Sequence, residues 1–250
     1  MTLTDAQLER YARHIILKEI GGAGQRRLLD AHVAVIGAGG IGSPALQYLA
    51  AAGVGRLTIV DDDRVDLSNL QRQTLFATDD IDRFKADAAI HRLKALNPDV
   101  AVTARRERLT PDTASGLLGD ADVVLDGCDN FPTRLAVADA ALAARIPLVS
   151  AAVGEFEGQL GLFRGWEPDK PCYRCFTGAD PDRAGVSCSE QGVLGALTGV
   201  IGSLAALEAI RAIAPFGEDS AGKLLIADTL ALRFRTLALP KDPGCPACGG

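Results

Sequence analysis

Residues 35–42 read VIGAGGIG, the segment that says most about the fold of this chain. An apolar run ends in glycines with the spacing G-x-G-x-x-G, formed by Gly37, Gly39 and Gly42, with Gly40 between them. This spacing is typical of a tight turn that joins a β-strand to a helix and brings backbone N–H groups close to nucleotide phosphates. The segment therefore predicts a phosphate-binding turn.

The flanking segments extend this pattern into a βαβ unit. HVAVIG (32–37) predicts a strand, SPALQYLAAAG (43–53) a helix and RLTIVD (56–61) a second strand. Later strands are predicted at 99–104, 122–127 and 147–152, with helices at about 81–96, from 110 onward and at 132–145. Alternation of this kind predicts an α/β, Rossmann-like, doubly wound and mostly parallel sheet with helices on both faces.

Two regions depart from the alternation. Residues 1–30 predict an N-terminal helical arm, with a helix from Thr4 to about Leu17, a break at the glycines of 21–24 and a short helix after them. Residues 31–250 then form the nucleotide-binding domain.

The second half of that domain has its own pattern. GQLGLFRG (158–165) predicts an edge strand or a hairpin arm, and 166–190 a long Cys-, Pro- and Gly-rich excursion. The apolar segment 192–213 predicts one or two buried helices, packed on the sheet or on a second subunit. KLLIAD (223–228) and RFRTLAL (233–239) predict C-terminal antiparallel strands, followed by a tail at about 240–250.

Composition excludes several classes of protein. A net charge of −6 over 250 residues argues against a general nucleic-acid binder, which carries a basic stripe. The apolar segment 192–213 contains Glu208 and Arg211, and the N-terminus lacks the charge pattern of a signal peptide. We therefore expect a soluble, cytoplasmic protein without a membrane span.

Four of the six cysteines form two C-x-x-C pairs, Cys172 with Cys175 and Cys245 with Cys248. Four thiolates from two such pairs make the closed, tetrahedral site of a structural zinc ion. The ion would hold the excursion against the C-terminal tail, which gives a zinc-stapled tail. Unconnected pairs and a redox dithiol are the alternatives.

The residues after the second strand bear on the choice of nucleotide. Asp61 lies 24 residues after Gly37, where an acidic side chain holds ribose hydroxyls in dinucleotide and ATP sites alike. The polar segment DDDRVDLSNLQRQ (61–73) and Lys85 add cations that favour a triphosphate. These cations could also be solvated surface charges, so NAD and ATP both remain possible.

The segment DGCDN (126–130) places Asp129 and Asn130 after the fourth strand, at the strand ends where such sheets bind ligands. A carboxylate there is a candidate Mg²⁺ ligand. The alternative interpretation of Asp129 is a cap for the helix that follows.

Several motifs together resemble the MoeB/ThiF group of ubiquitin-activating-type adenylyltransferases. They are RYARHIIL (10–17), GAGGIGSPALQYLAAAGVG (37–55), the segment 61–73, CYRC (172–175), GVIGSLAALEAI (199–210) and CPACG (245–249). The resemblance implies a homodimer that uses ATP to adenylate the C-terminal Gly-Gly of a small ubiquitin-like sulfur-carrier protein. The acyl-adenylate then accepts sulfur in molybdopterin or thiamine biosynthesis.

The resemblance also implies roles for individual residues. The glycine turn contacts the nucleotide and Asp61 the ribose. The phosphates are contacted by Asn69, Arg72 and Lys85, with Arg13 reaching in from the partner subunit, while Asp129 holds Mg²⁺. Gln71 and Asn130 are further nucleotide-binding residues. The four paired cysteines hold Zn²⁺. The family commonly has D-C-T-D-N where this chain has DGCDN, so Cys128 is displaced by one position.

The sulfur chemistry is less determined by the sequence. Cys188 matches a cysteine that bonds to the carrier's sulfur in thiamine-type relatives, but no cationic neighbour lowers its pKa, so a plain loop cysteine is the alternative. No rhodanese-like segment follows residue 250, so we expect a separate donor such as a cysteine desulfurase or a rhodanese. An NAD(P) oxidoreductase with structural zinc and a non-catalytic scaffold for a ubiquitin-like protein are the rival hypotheses.

Overall fold

One sheet organises the computed structural model, which describes residues 3–178 and 192–249. Within those residues its strands are β1 (His32–Ile36), β2 (Arg56–Val60), β3 (Ala101–Arg105), β4 (Val123–Asp126), β5 (Leu148–Gly154), β6 (Glu157–Phe163), β7 (Lys223–Asp228) and β8 (Arg233–Ala238). Their order is β3-β2-β1-β4-β5-β6-β7-β8. Strands β1 to β5 pair in parallel and β6 to β8 are antiparallel, which confirms the predicted sheet.

The helices of the described residues connect and cover these strands. They are α1 (Asp5–Arg10), α2 (Ala12–Ile15), α3 (Gly21–Asp30), α4 (Gly42–Ala52), α5 (Lys85–Leu96), α6 (Pro111–Leu118), α7 (Phe131–Ala144), α8 (Tyr173–Thr177) and α9 (Gly195–Ile213). In β1, Val33 and Val35 pack into one apolar cluster, whereas Ala34 and Ile36 pack into the other. The sheet therefore has a core on each face, as a doubly wound fold requires.

The N-terminal arm differs from the prediction. The helix expected from Thr4 to Leu17 is divided at Tyr11, whose buried hydroxyl accepts a hydrogen bond from Asn97 at 2.9 Å. The glycines of 21–24 lie inside α3 instead of breaking a helix, and Gly24 is buried there. Tertiary packing therefore overrides the weak helix propensity of glycine.

Helix α5 begins at Lys85, four residues later than predicted. Residues 78–80 form a 3₁₀ turn and Asp82 has a left-handed φ of 67°, so no helix passes through them. Phe84 pairs with Arg64 as an extended bridge. The later start puts Lys85 in the first turn of α5, where its N–H donates to the carbonyl oxygen of Asp63 at 2.9 Å.

The long apolar segment forms one helix, α9, so of the two predicted alternatives the single helix is confirmed. A Cβ at Gly202 would lie 2.4 Å from the carbonyl oxygen of Ile41, so the glycine allows α9 to pack closely against the start of α4. By length and composition α9 could cross a membrane, but one of its faces is buried against α4, β5 and β6.

Strand β6 was predicted to be an edge strand or a hairpin arm. It lies between β5 and β7, so the edge assignment is wrong and the hairpin assignment is confirmed.

Candidate functional site

The glycine turn forms the floor of a cleft at the carboxyl ends of β1, β2 and β4. Gly37 donates its N–H to the carbonyl oxygen of Val60 at 2.9 Å. A Cβ at Gly42 would lie 1.9 Å from the Gly37 carbonyl oxygen, so only glycine fits there. Among the described residues no side-chain hydrogen bond caps α4. Ser43 already donates its N–H to the Gly39 carbonyl oxygen at 2.9 Å and Pro44 has no N–H, so the N–H groups of the glycine turn and of Gly42 are the ones that can bind an anion.

The cleft encloses about 180 Å³. Most of the predicted nucleotide-binding residues line it, namely Gly37, Gly39, Gly40, Asp61, Gln71, Arg72, Lys85 and Asp129. The geometry therefore gathers residues from four separate segments of the chain at one place, and their roles stay predictions.

Asp61 ends β2 and holds the glycine turn in place. Its carboxylate accepts hydrogen bonds from the N–H groups of Ala38 at 2.7 Å and Asp63 at 2.9 Å. Burial raises the pKa of Asp61, while Lys85 and the two N–H donors oppose that rise. A carboxylate has about four lone-pair sites, so two remain for ligand hydroxyls.

Lys85 is buried, with 6% of its surface exposed, and its Nζ donates to the Asp63 carboxylate at 2.9 Å. Asp63 itself is largely exposed at the mouth of the cleft. Arg72 is half-buried and donates to the Ser68 carbonyl oxygen at 3.0 Å. The surface-charge interpretation is therefore wrong for Lys85, and both cations face the cleft.

The charges that line the cleft nearly cancel. The cations are Arg72, Lys85 and Arg134, and the carboxylates are Asp61, Asp63 and Asp129. Because a triphosphate carries about four negative charges, the described residues of the cleft offer too little positive charge to neutralise it.

Four predicted residues do not line the cleft, and one of them is Gly42, which is buried at the end of the glycine turn. Asn69 lies in a 3₁₀ turn, where its side chain accepts from the N–H of Asp66 at 3.3 Å. Asn130 caps α7 by accepting from the N–H of Thr133 at 3.0 Å, so the helix cap in DGCDN is Asn130 and not Asp129. Arg13 lies in α2 with an exposed side chain, and this single chain does not bring it to the cleft.

Sequence analysis missed two cleft residues that are almost fully buried. Gln73 is 3% exposed, and its Oε1 has no hydrogen-bond partner among the described residues. An orphaned buried acceptor in a cleft suits a ligand that donates a hydrogen bond. Thr198 of α9 donates to the Gly195 carbonyl oxygen at 2.7 Å and lies 3.3 Å from that of Arg72. Gln73 belongs to the polar segment 61–73, which could have indicated it.

Arg134 was also missed, because a lone arginine in an apolar helix carries no signal in the sequence. It is 7% exposed and pairs with buried Asp126 at 3.1 Å. Burial alone would lower the pKa of Arg134, but Asp126 together with smaller contributions from Tyr173 and Cys128 outweighs burial, and the pKa rises. Arg134 therefore stays charged at the inner end of the cleft.

The two cysteines outside the C-x-x-C pairs differ in what can be said of them. Cys128 is buried, and burial, reinforced by Asp126, raises the pKa of its thiol well above the ordinary range. Such a thiol is a poor nucleophile. Cys188 lies outside the described residues.

The two C-x-x-C pairs come together, as predicted. The sulfur atoms of Cys172, Cys175, Cys245 and Cys248 all lie within 4.8 Å of one another. Three of the pairwise distances are 3.8, 3.6 and 3.4 Å. Four sulfurs at about 2.3 Å from one tetrahedral zinc ion would be about 3.8 Å apart. The cluster therefore has the size and the ligand set of a structural zinc site.

Backbone groups support this cluster. The N–H of Asp242 lies 3.5 Å from the Cys175 sulfur. Burial opposes ionisation of Cys245, but N–H donors at Ala247 and Cys248 outweigh it and lower the pKa of that thiol to about 7. Arg174, inside the first pair, holds the Asp139 carboxylate of α7 with two bonds of 2.7 Å. The cluster is thereby attached to the main domain.

Comparison with known proteins adds the family. Residues 11–247 match the ThiF family model. The chain is 47% identical to the sulfur carrier protein adenylyltransferase of Thermus thermophilus over all of this chain and 93% of that protein. It is 45% identical to the sulfur carrier protein ThiS adenylyltransferase of Escherichia coli, over 99% of this chain and 98% of that one.

Two further comparisons agree with these. The molybdopterin-synthase adenylyltransferase of Escherichia coli is 41% identical, over 99% of this chain and 98% of its own. The crystal structure of Escherichia coli MccB with succinimide superposes with a TM-score of 0.86 at 22% identity, covering 99% of this chain and 75% of that one, which shows a shared fold. The chain therefore belongs to the ThiF family.

Proposed function

We propose that this protein uses ATP to adenylate the C-terminal glycine of a small ubiquitin-like sulfur-carrier protein, releasing pyrophosphate. One observation carries the proposal: buried Lys85 and half-buried Arg72 face the same cleft as the glycine turn and Asp61. The names of the relatives from Thermus and Escherichia support the same reaction.

Within this proposal different cleft residues bind different parts of the nucleotide. Asp61 accepts the ribose hydroxyls with its remaining lone pairs. The amides at the start of α4 hold a phosphate. Arg72 and Lys85 contact the other phosphates, and the unpaired Oε1 of buried Gln73 accepts from a donor group of the ligand. Gln71 lines the same cleft beside them.

Because positive and negative groups balance among the described residues of the cleft, we expect two further cations to help bind the phosphates. Asp129 is exposed at the cleft, where its carboxylate could hold Mg²⁺. Bound there, the ion would offset charge on the phosphates. Arg13 of a second copy would supply the other charge in a homodimer. Among the described residues nothing forms a hydrogen bond or ion pair with the Arg13 guanidinium, so it is available for such a contact.

The proposed reaction needs charge stabilisation more than proton transfer. The carrier's terminal carboxylate has a reference pKa of about 3.3–3.7, so it is ionised near pH 7 and needs no general base. An anion must nevertheless approach an anionic α-phosphate. Arg72 and Lys85 would stabilise the charge that develops as pyrophosphate leaves.

The proposed zinc ion is structural. Four cysteine sulfurs fill its coordination shell, so no position remains for a substrate. Cys172, Cys175, Cys245 and Cys248 would hold the ion, which would join the segment after β6 to the C-terminal tail.

Our proposals for the sulfur donor and the pathway are based on the relatives of this chain and not on its own structure. We propose a separate sulfur donor, a cysteine desulfurase or a rhodanese, and a cytoplasmic location. The relatives named for thiamine and for molybdopterin carriers are of similar identity, 45% and 41%. Carriers of both kinds are therefore candidate substrates.

The proposal is tested by mixing the purified protein with ATP, Mg²⁺, labelled pyrophosphate and either type of carrier. We expect label to enter ATP only when the carrier with its intact Gly-Gly terminus is present. A carrier that lacks the last glycine is the matched control. Nicotinamide reduction without exchange would favour an oxidoreductase, and carrier binding without exchange would favour a scaffold.

A further inference from the structure

Two glutamines are buried among the described residues, and they differ in whether their side chains have partners. Gln25 is 0% exposed, its Oε1 lies 3.1 Å from Nδ1 of His14, and its Nε2 donates to the Ala52 carbonyl oxygen at 2.9 Å. Gln73 is 3% exposed, and its Oε1 has no hydrogen-bond partner in the described part of the chain. A buried acceptor that the fold leaves unpaired suits a ligand that donates to it.

Gln73 is among the described residues that line the cleft, but not among those that line a smaller cavity next to it. The smaller cavity, of about 70 Å³, shares Asp61 and Asp129 with the cleft. The hydrogen-bond donors of ATP are its ribose hydroxyls and the amino group of its base, whereas its ionised phosphates only accept. With the ribose at Asp61, those donors lie on the side of the cleft that the smaller cavity shares. The donor for Gln73 therefore comes from the second substrate.

The backbone around Gln73 is fixed between the glycine turn and α9. The N–H of Gln73 donates to the Asn69 carbonyl oxygen at 2.9 Å, and the Thr198 hydroxyl of α9 lies 3.3 Å from the carbonyl oxygen of Arg72. A Cβ on Gly39 would lie 3.8 Å from the Nε2 of Gln73, so the side-chain amide sits beside the turn that is proposed to bind phosphate. Gln73 is therefore positioned by its backbone, and its Oε1 is left for a ligand close to the phosphates.

Gly192 and Val193 line the same cleft, and Val193 forms a bridge with the residue after β5. That residue, Glu155, donates its N–H to the Gly192 carbonyl oxygen at 3.1 Å and accepts the N–H of Leu194 at 3.1 Å. Because polar groups alternate in direction along an extended chain, the N–H and carbonyl oxygen of Val193 point away from Glu155. Neither of them has a backbone partner among the described residues. An extended peptide that enters the cleft can pair with them as an added strand.

We infer that Gln73 recognises the last peptide group of the carrier, with its Oε1 accepting the N–H of the carrier's C-terminal glycine. The inference rests on the proposed function and adds to it a specificity-determining residue for the protein substrate. Only one Cα separates that N–H from the reacting carboxylate, so the N–H reaches Gln73 when the carboxylate lies at the phosphates. The bond is present in the bound carrier before the reaction as well as during it, so it contributes to KM and not to kcat.

The first test is carrier-dependent pyrophosphate exchange by the full chain with Gln73→Met, using the carrier type that supports exchange. We expect the KM for the carrier to rise about tenfold, the size of one hydrogen bond in a buried site, with kcat and the affinity for ATP unchanged. The Tm should not fall, because the buried Oε1 that is removed is unpaired among the described residues.

A carrier with an ester in place of its last amide tests the assigned bond itself. Replacing the C-terminal glycine by glycolate exchanges the N–H for an oxygen atom, which removes the donor without adding bulk. With the unmodified enzyme we expect the KM to rise about tenfold. With Gln73→Met the ester should cause no further rise, because the two changes remove the same interaction.

Gln25→Met is the matched control, because it removes a buried glutamine amide outside the cleft whose two polar atoms are both paired. We expect it to lower the Tm, since it leaves the buried partners of Gln25 unpaired, and to leave the KM for the carrier unchanged. An equal rise in KM for Gln25→Met and Gln73→Met would make the effect one of general packing and overturn the inference.

The remaining outcomes separate this inference from the proposed function. Independent effects of Gln73→Met and of the ester on the KM would overturn the inference and leave the proposed function intact. A loss of ATP affinity in Gln73→Met, measured without the carrier, would assign the Oε1 to the nucleotide and overturn the inference as well. Absence of exchange with the unmodified protein and carrier would overturn the proposed function, and the inference with it.

Discussion

The cysteine cluster brings four sulfur atoms to within 4.8 Å of one another, whereas the cleft sets three cations against three carboxylates around about 180 Å³. The first set of groups is complete within one chain and suits a single ion. Over the described residues, the second has equal numbers of positive and negative groups, so it suits a polyanion only after further positive charge arrives. The two sites therefore differ in whether the described residues of one chain supply all the groups that the proposed ligand needs.

The largest effect should come from removing a cation of the cleft. We predict that Arg72→Ala slows carrier-dependent pyrophosphate exchange by ~10²–10³-fold, the loss typical of one preorganised charge stabiliser. The Tm should change little, because within the described part of the chain the guanidinium bonds only to the Ser68 carbonyl oxygen. Near-normal exchange would show that the cleft does not need this charge.

Loss of a cysteine from the cluster should lower the stability of the protein, whereas loss of a cleft cation should lower its activity. We predict that Cys245→Ser abolishes zinc binding and lowers the Tm by roughly 10 °C, since the loss of a metal staple costs several kcal/mol. Metal analysis and calorimetry measure both quantities. Cys128→Ser is the matched control, because that thiol lies outside the cluster and should leave zinc content unchanged. Full zinc occupancy in Cys245→Ser would contradict the four-sulfur site.

Lys85 tests whether a cleft charge contributes to function at the expense of stability. We predict that Lys85→Met weakens ATP binding about tenfold, the size of one charged hydrogen bond, and leaves the Tm unchanged or higher. Burying a cation is costly, and its partner Asp63 is exposed enough to be solvated alone. Lys94→Met, on the same helix but outside the cleft, should change neither quantity. A Tm that falls with Lys85→Met would make this lysine structural.

The smallest effect should be a pH dependence due to Asp61. Its pKa is raised in the folded protein from an ordinary 3.8, chiefly by burial. The protonated form is therefore favoured by folding, so this group stabilises the fold below pH 3.8 and loses that contribution as the pH rises through the raised pKa. We predict that the wild-type protein loses unfolding free energy relative to Asp61→Asn as the pH rises from 3.8. Parallel stability curves for the two proteins would contradict this.

Much of the cysteine cluster and part of the cleft could be predicted from the sequence. Two cysteines in a C-x-x-C pair can present both sulfur atoms to one ion, so the four residues of the cluster could be predicted from the sequence alone. The glycine turn and Asp61 are likewise local to one βαβ unit. The edge of β6, the start of α5 and the continuity of α9 depended on tertiary packing instead, at Gly202 for example.

Other cleft residues could not be predicted from the sequence, because their roles depend on contacts or burial in the folded protein. Arg134 functions through Asp126 and Ala151, which lie 8 and 17 residues away, and Gln73 is notable only because it is buried without a partner. Asn130 was assigned to the nucleotide but caps a helix, since one side chain in such a loop can do either. Contacts with strand residues, which no spacing encodes, decided the case of Arg134, whereas the contact of Asn130 with Thr133 is local to one helix end.

The most direct test of the account is a crystal structure of the protein soaked with ATP and Mg²⁺. We predict the ribose against Asp61 and the phosphates within hydrogen-bonding distance of Arg72 and Lys85, with Lys85 released from Asp63. An ATP complex in which both cations point into bulk solvent, away from the phosphates, would contradict the central claim that this cleft neutralises a triphosphate for adenylation.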